Sequence, residues 1–130
     1  MAAIRGKDTK PEMVVRRAVH AAGFRYRLHQ GDLPGRPDLV LARLKTVVFV
    51  HGCFWHHHTC QPDKWPKTRS EFWRKKIEAN QARDARTNYF LRTAGWHVEV
   101  IWECELKREV AIRRLLRKLE RRRAAVDATK

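Results

Sequence analysis

The stretch PDLVLARLKTVVFVH, Pro37 to His51, decides the fold. Asp38 to Leu41 is a short apolar strand opened by an acid, and Thr46 to Val50 is a second strand rich in β-branched residues. A tight connection around Arg43 and Leu44 joins them into a hairpin. In such a hairpin the start of one strand lies close to the end of its neighbour, so Asp38 is expected near His51. A carboxylate, a backbone carbonyl and phosphate oxygens together complete the octahedron that Mg²⁺ prefers. An aspartate after a proline also serves as a plain turn cap, so position alone leaves two readings of Asp38.

Working upstream, Thr9-Lys10-Pro11-Glu12 reads as a capping box with a proline in the first turn. A helix is expected from about Thr9 to Ala22, with Val15, Ala18, Val19 and Ala22 as its apolar stripe and Gly23 as its stop. Phe24, Tyr26 and Leu28 alternate with Arg25 and Arg27, the pattern of a half-buried strand. A turn-rich segment, Gln30 to Pro37, then enters the hairpin.

Downstream, a histidine- and cysteine-rich loop runs from His51 to about Arg69. Ser70 is placed to cap a long helix that reaches Ala94 and stops at Gly95, and His97 to Trp102 is a further strand. A basic, leucine-bearing helix from Leu106 to about Arg123 closes the chain, with residues 121–130 expected as a frayed tail. The order helix, three strands, helix, strand, helix specifies an α/β fold: a mixed β-sheet flanked by helices.

The length of 130 residues fits a single domain, 1–130, and 43% hydrophobic content suffices for a core. No apolar run approaches the roughly 18–20 residues of a membrane span, and the N-terminus lacks the apolar stretch of a signal peptide. A cytoplasmic protein, nucleoid-associated when bound to DNA, is expected. With 29 Lys and Arg against 14 Asp and Glu, the net charge is +15. Such a surface attracts polyanions, and each phosphate it neutralises releases counterions. Nucleic acid is the partner this charge favours, although a ribosomal-type or merely soluble basic protein has the same signature. The charge is not gathered on one amphipathic helix, which argues against a membrane-surface role.

Three cysteines cannot form a complete disulfide framework. Two of them lie in HGCFWHHHTC, His51 to Cys60, which packs four histidines and two cysteines into ten residues. Zinc prefers thiolate and imidazole in a tetrahedron. Cys53 and Cys60 are candidate ligands, and one of His56, His57 or His58 can close the loop. Cys104 can supply the fourth ligand if the strand His97 to Trp102 lies beside the hairpin. Three cysteines and one histidine make a closed, structural zinc-binding loop with no open position for water. The bland alternative is solvent-exposed histidines with two inert thiols. Histidines left over beside such a loop are available for proton transfer near neutral pH.

The element order resembles the PD-(D/E)xK nuclease superfamily, which implies a three-layer, restriction-endonuclease-like core. Pro37-Asp38 supplies the PD. Phe49-Val50-His51 stands where (D/E)xK would be and departs from it, because His51 replaces the lysine and Val50 can offer only its carbonyl.

LPGRPDLV, VFVHGCFWHHHTC, TRSEFWRKKIEAN, RDARTN and GWHVEVIWEC, in that order and spacing, resemble the very short patch repair (Vsr) mismatch endonucleases over nearly the whole chain. The resemblance implies a Mg²⁺-dependent single-strand cut 5′ of the thymine in a T·G mismatch left by deamination of 5-methylcytosine. It implies one structural Zn²⁺, one or two catalytic Mg²⁺, and cooperation with other mismatch-repair proteins. A monomer is expected. By position, Asp38 is the metal-binding catalytic carboxylate, joined by the Val50 backbone carbonyl. His56 is the essential histidine with Asp84 near it, and Glu12 and His51 are supporting groups. Zinc would be held by Cys53, His58, Cys60 and Cys104.

Phe54, Trp55 and Trp73 are similar to the family's aromatic wedge, and Lys76 and Asn80 to its contacts with the mismatched pair. Lys76, Asn80 and Asp84 recur at i, i+4 and i+8 and so share one helix face. Wedging aromatics into a duplex costs a few kcal/mol per step, least where a mismatch has already weakened stacking. Two plainer readings stand beside these: Trp73 as core, with Ile77 one turn away, and Glu12 as a member of the capping box only. Met1 aligns with a methionine inside longer family members, so their basic N-terminal segment is expected to be short or missing. The rival classes are a non-catalytic zinc-stabilised nucleic-acid-binding module and a restriction-type nuclease that cuts both strands.

Overall fold

The computed structural model describes residues 9–28, 32–52, 70–107 and 109–129. Helix α1, Lys10–Ala21, starts where expected. Thr9 is extended, and its hydroxyl accepts the N–H of Glu12. It ends in a Schellman motif around Gly23, whose φ is +87°: the N–H of Gly23 reaches His20 O and that of Phe24 reaches Val19 O.

The second strand, β2, spans Leu39–Leu41, and β3 spans Thr46–His51. The 3₁₀ turn Ala42–Leu44 and a left-handed Lys45 connect them, with Lys45 N–H closing on Ala42 O. Strands β2 and β3 pair antiparallel, Leu39 opposite Val48 and Leu41 opposite Thr46. Helix α2, Ser70–Thr93, ends in the same type of motif around Gly95, with Trp96 N–H on Leu91 O. It leads to β4, His97–Trp102, which runs parallel to β3 with His51 opposite Trp102. Helix α3, Val110–Ala128, follows a 3₁₀ turn at Glu103–Lys107. The mixed sheet has the order β1-β2-β3-β4, where β1 is Arg27–Leu28. No described helix is long and apolar enough to cross a membrane.

Alternation along the strands sorts the core into two clusters. Leu39, Leu41, Val48 and Ile101 pack against Val15 and Val19 of α1 and Leu115 and Leu119 of α3. Val40, Val47, Phe49 and Val98 face the other way, against Leu91 of α2. The layers are therefore α1 and α3, the sheet, and α2.

Three boundaries differ from the sequence reading. The strand expected from Phe24 to Leu28 shrinks to Arg27–Leu28, both exposed. Phe24 spends its N–H on closing α1 and buries its ring in the α1/α3 cluster, so it has no rung to give the sheet. The last helix starts at Val110 rather than Leu106, because Glu105 folds back to accept the N–H of Trp102 at 2.9 Å. It also continues through Ala128, past the point where fraying was expected, and Asp127 pairs with Arg43 of the β2–β3 turn.

Candidate active site

Asp38 stands one residue ahead of β2. Its N–H donates to Val48 O at 3.0 Å, on the residue that faces Leu39, which ties the chain to β3 just before β2 begins. Its side-chain Oδ2 accepts the N–H of Val50 at 2.6 Å. A residue in an antiparallel ladder sends its N–H and C=O toward the same neighbour. The Val50 carbonyl therefore leaves β3 on the side that faces Asp38.

The turn feeding Asp38 is held by sterics. Gly35 has φ +76° and Arg36 φ +48°, with Arg36 N–H on Leu33 O at 3.2 Å. A Cβ on Gly35 would sit 2.4 Å from Thr87 Cγ2 and 3.3 Å from the Phe49 ring. The turn thus rests directly on α2 and β3, and only glycine permits that approach.

His51 ends β3 and is buried, its ring edge-on to Trp102 at 5.1 Å and tilted against Phe49 at 5.8 Å. It shares the α2-facing side with Phe49. Glu12 comes from the opposite layer, on the same α1 stripe as Val15 and Val19. It is only 1% exposed and takes a 2.8 Å ion pair from Arg16. Its backbone completes the helix cap while its carboxylate is buried, which is more than a capping box requires.

One stripe of α2 turns inward: Trp73, Ile77, Asn80, Asp84, Thr87 and Leu91 at alternating spacings of four and three. Ile77, Thr87 and Leu91 are buried, whereas Trp73, Asn80 and Asp84 are half-buried. The stripe is apolar toward its ends and polar in the middle, and Asp84 lies one turn before Thr87, the residue beneath Gly35. Lys76 is exposed at the margin of this stripe, its Nζ 5.9 Å from the Phe72 ring. Phe72 and Trp73 meet edge to face at 5.3 Å, beside Ile77 one turn on.

Cys104 is half-buried in the 3₁₀ turn after β4, two residues past Trp102. Because Trp102 pairs with His51, Cys104 lies at the sheet end where the chain leaves β3 toward Cys53. Cys53, Phe54, Trp55, His56, His58 and Cys60 lie outside the described residues. Among the described residues no group of three or more His, Cys, Asp or Glu side chains is gathered as for a metal. Sequence reading missed the Gly35–Thr87 contact and the seat of His51 on Trp102. A threonine in a helix gives no signal of the turn packed on it, and the tryptophan follows only from strand register.

A strongly basic α/β domain with an aspartate held at the head of a hairpin is compatible with the class of DNA-cleaving enzymes. Residues 1–62 match the family described as DNA mismatch endonuclease Vsr. The chain is 48% identical over 119 residues to type II nicking enzyme V.XorIIP of Xanthomonas oryzae pv. oryzae, covering 92% of this chain and 88% of that one. It is 45% identical to type II nicking enzyme V.NmeAIP of Neisseria meningitidis, covering 93% and 86%. It is 44% identical to DNA mismatch endonuclease Vsr of Escherichia coli (strain K12) over 107 residues, covering 82% and 69%. The chain belongs to the Vsr family and is a DNA endonuclease.

Proposed function

We propose that this endonuclease nicks one strand of duplex DNA 5′ of the thymine in a T·G mismatch, using Mg²⁺ at Asp38. The observation that carries the reading is the pairing of the Asp38 carboxylate with Val50 at the end of β3. Carboxylate and carbonyl oxygens suit a small hard cation. Bound there, Mg²⁺ would supply charge to offset what develops on the scissile phosphate. Asp38 and the Val50 carbonyl would hold the ion, and a second could share Asp38. His56, oriented by Asp84, positions or deprotonates the attacking water, and the cut leaves a 5′-phosphate on the thymine side. Glu12 and His51 brace the site from opposite faces of the sheet.

Zinc is assigned to Cys53, His58, Cys60 and Cys104 as a structural clasp. The position of Cys104 beside the exit from β3 supports this, since a ligand two residues past Trp102 is within reach of the loop that follows His51. Phe54, Trp55 and Trp73 act as wedge, and Lys76 and Asn80 read the mismatched pair. Relatives named nicking enzymes favour a single-strand cut over a restriction-type double cut.

The test compares strand-specific nicking of a T·G duplex and its T·A counterpart in Mg²⁺. The T·G duplex alone should be nicked. Asp38→Asn should retain mismatch binding while its nicking rate falls by about three orders of magnitude or more, as expected when the group organising transition-state charge is lost. Parent-like nicking by that variant removes Asp38 from the mechanism, and equal cutting of both duplexes removes the mismatch specificity.

A further inference from the structure

A cleft of about 480 Å³ lies at the end of the sheet remote from Asp38. The segment Gly23–Arg27 forms one wall, the end of β2 and the turn after it form the floor, and Arg123 of α3 closes the side. Phe24, Leu41 and Leu44 are buried beneath it. Among the described residues Arg25, Arg27, Arg43 and Arg123 line it, and no acidic residue does.

Arg123 is positioned before any ligand arrives: its guanidinium lies over the Phe24 ring at 4.1 Å, and Gly23 leaves space for it, with an added Cβ 3.9 Å from Nη1. Stacking of this kind occupies the face of a guanidinium and leaves its in-plane donors for an acceptor, the geometry that suits phosphate. Among the described residues Arg43 pairs with Asp127, while Arg25, Arg27 and Arg123 make no ion pair. With Arg43 answered by Asp127, three like charges remain around one concavity and repel one another, so a polyanion is the ligand that stabilises the arrangement.

Strand rise is roughly 3.4 Å per residue, which puts Leu41 about 10 Å from Asp38 along β2. Duplex DNA advances about 3.4 Å per base pair, so this displacement corresponds to about three base pairs where β2 runs along the duplex. We propose that this arginine cleft is a second, sequence-independent contact for the DNA backbone, gripping phosphates of the duplex that flanks the nicked position. This goes beyond the mismatch reading and depends only on duplex DNA being the substrate.

The experiment uses fully paired duplexes of about 12 and about 24 base pairs and measures Kd across a salt series, since phosphate contacts carry no sequence information. The full chain is compared with Arg25→Gln/Arg27→Gln, the same pair plus Arg123→Gln, and a charge-matched control, Arg113→Gln/Arg114→Gln, on the exposed face of α3. For the longer duplex the slope of log Kd against log salt should flatten by roughly 0.9 per cleft arginine removed. Affinity should fall about five- to tenfold for the pair at low salt on both duplexes, with the control close to the parent. Arg25 and Arg27 are exposed, so the pair reports on the cleft even if loss of the Arg123–Phe24 stack unfolds the triple variant. An unchanged slope, or an equal loss in the control, overturns the proposal.

Discussion

The two faces of the sheet are built differently. On the α1/α3 side, branched aliphatics from both helices meet those of β2, β3 and β4, and the carboxylate set among them is answered within the fold. Glu99 of β4 takes Lys118 at 3.0 Å and Arg122 at 2.7 Å, and Arg122 also reaches the Thr46 hydroxyl at 3.3 Å. On the α2 side, the helix stripe that faces inward is interrupted by Asn80 and Asp84, and a turn rests on Thr87 in place of a side-chain layer. One face stores the stability that lets the other place polar groups where a core would normally be. The lesson is a division of labour: substitutions on the first face, Glu12 apart, should change how much protein is folded, and those on the second how fast the folded protein cuts.

The largest effect expected is on the first face. Leu119→Ala removes a fully buried side chain from the α1/α3 cluster and should cost about 2–5 kcal/mol of stability. Denaturant unfolding measures the loss, while the nicking rate per folded molecule should hold. A rate that drops in proportion to stability would break the division.

Gly35→Ala tests the second face. A methyl group there meets Thr87 at 2.4 Å in a backbone region that disfavours side chains, costing about 1–3 kcal/mol. Its signature should be catalytic, because displacing the Asp38 turn by about 1 Å can cost on the order of 100-fold in rate. Thr87→Ser removes the clashing Cγ2, so the double variant should regain part of that rate. No regain would mean that the turn is set by something other than the α2 contact.

The smallest effect belongs to Glu99. Burial alone raises its carboxyl, but hydrogen bonds and charge from Lys118 and Arg122 outweigh that and hold it below the ordinary value of 4.5. A lowered carboxyl contributes stability that is present above the ordinary value and is lost as pH falls through the lowered one. Glu99→Gln should therefore cost about 1–3 kcal/mol at neutral pH, with the gap to the parent closing below pH 4.5. A gap that is the same at both pH values would show that the ion pair contributes nothing.

Much of this frame was legible because it is written in local chemistry. Thr9, Pro11 and Gly23 punctuate α1, Gly95 stops α2, and β-branched runs mark β3 and β4. What escaped reading depends on choices made elsewhere in the chain. Phe24 looks like a strand residue until its N–H is needed to end α1, and Leu106 looks helical until Glu105 turns back onto Trp102. Within the candidate site, Asp38 stands out by opening an apolar run after a proline, a position that a plain turn cap also fills. Thr87 does not, because its role is to be touched by a glycine fifty-two positions earlier. Composition alone points Cys53 and Cys60 to zinc, but neighbouring histidines at consecutive positions are equivalent by spacing, and only the family resemblance selects His58.

Strand β2 is three residues long, so few rungs fix how it slides against β3. A slip of one position would bring Leu39 opposite Phe49 and turn the acid away from Val50. Lys45 guards against that from the far end, since its left-handed turn sets the count of residues between the two strands. Adding or removing a single residue between Ala42 and Lys45 should leave a folded sheet with a hydrocarbon where the carboxylate belongs, so a bend remote from the chemistry acts as its ruler.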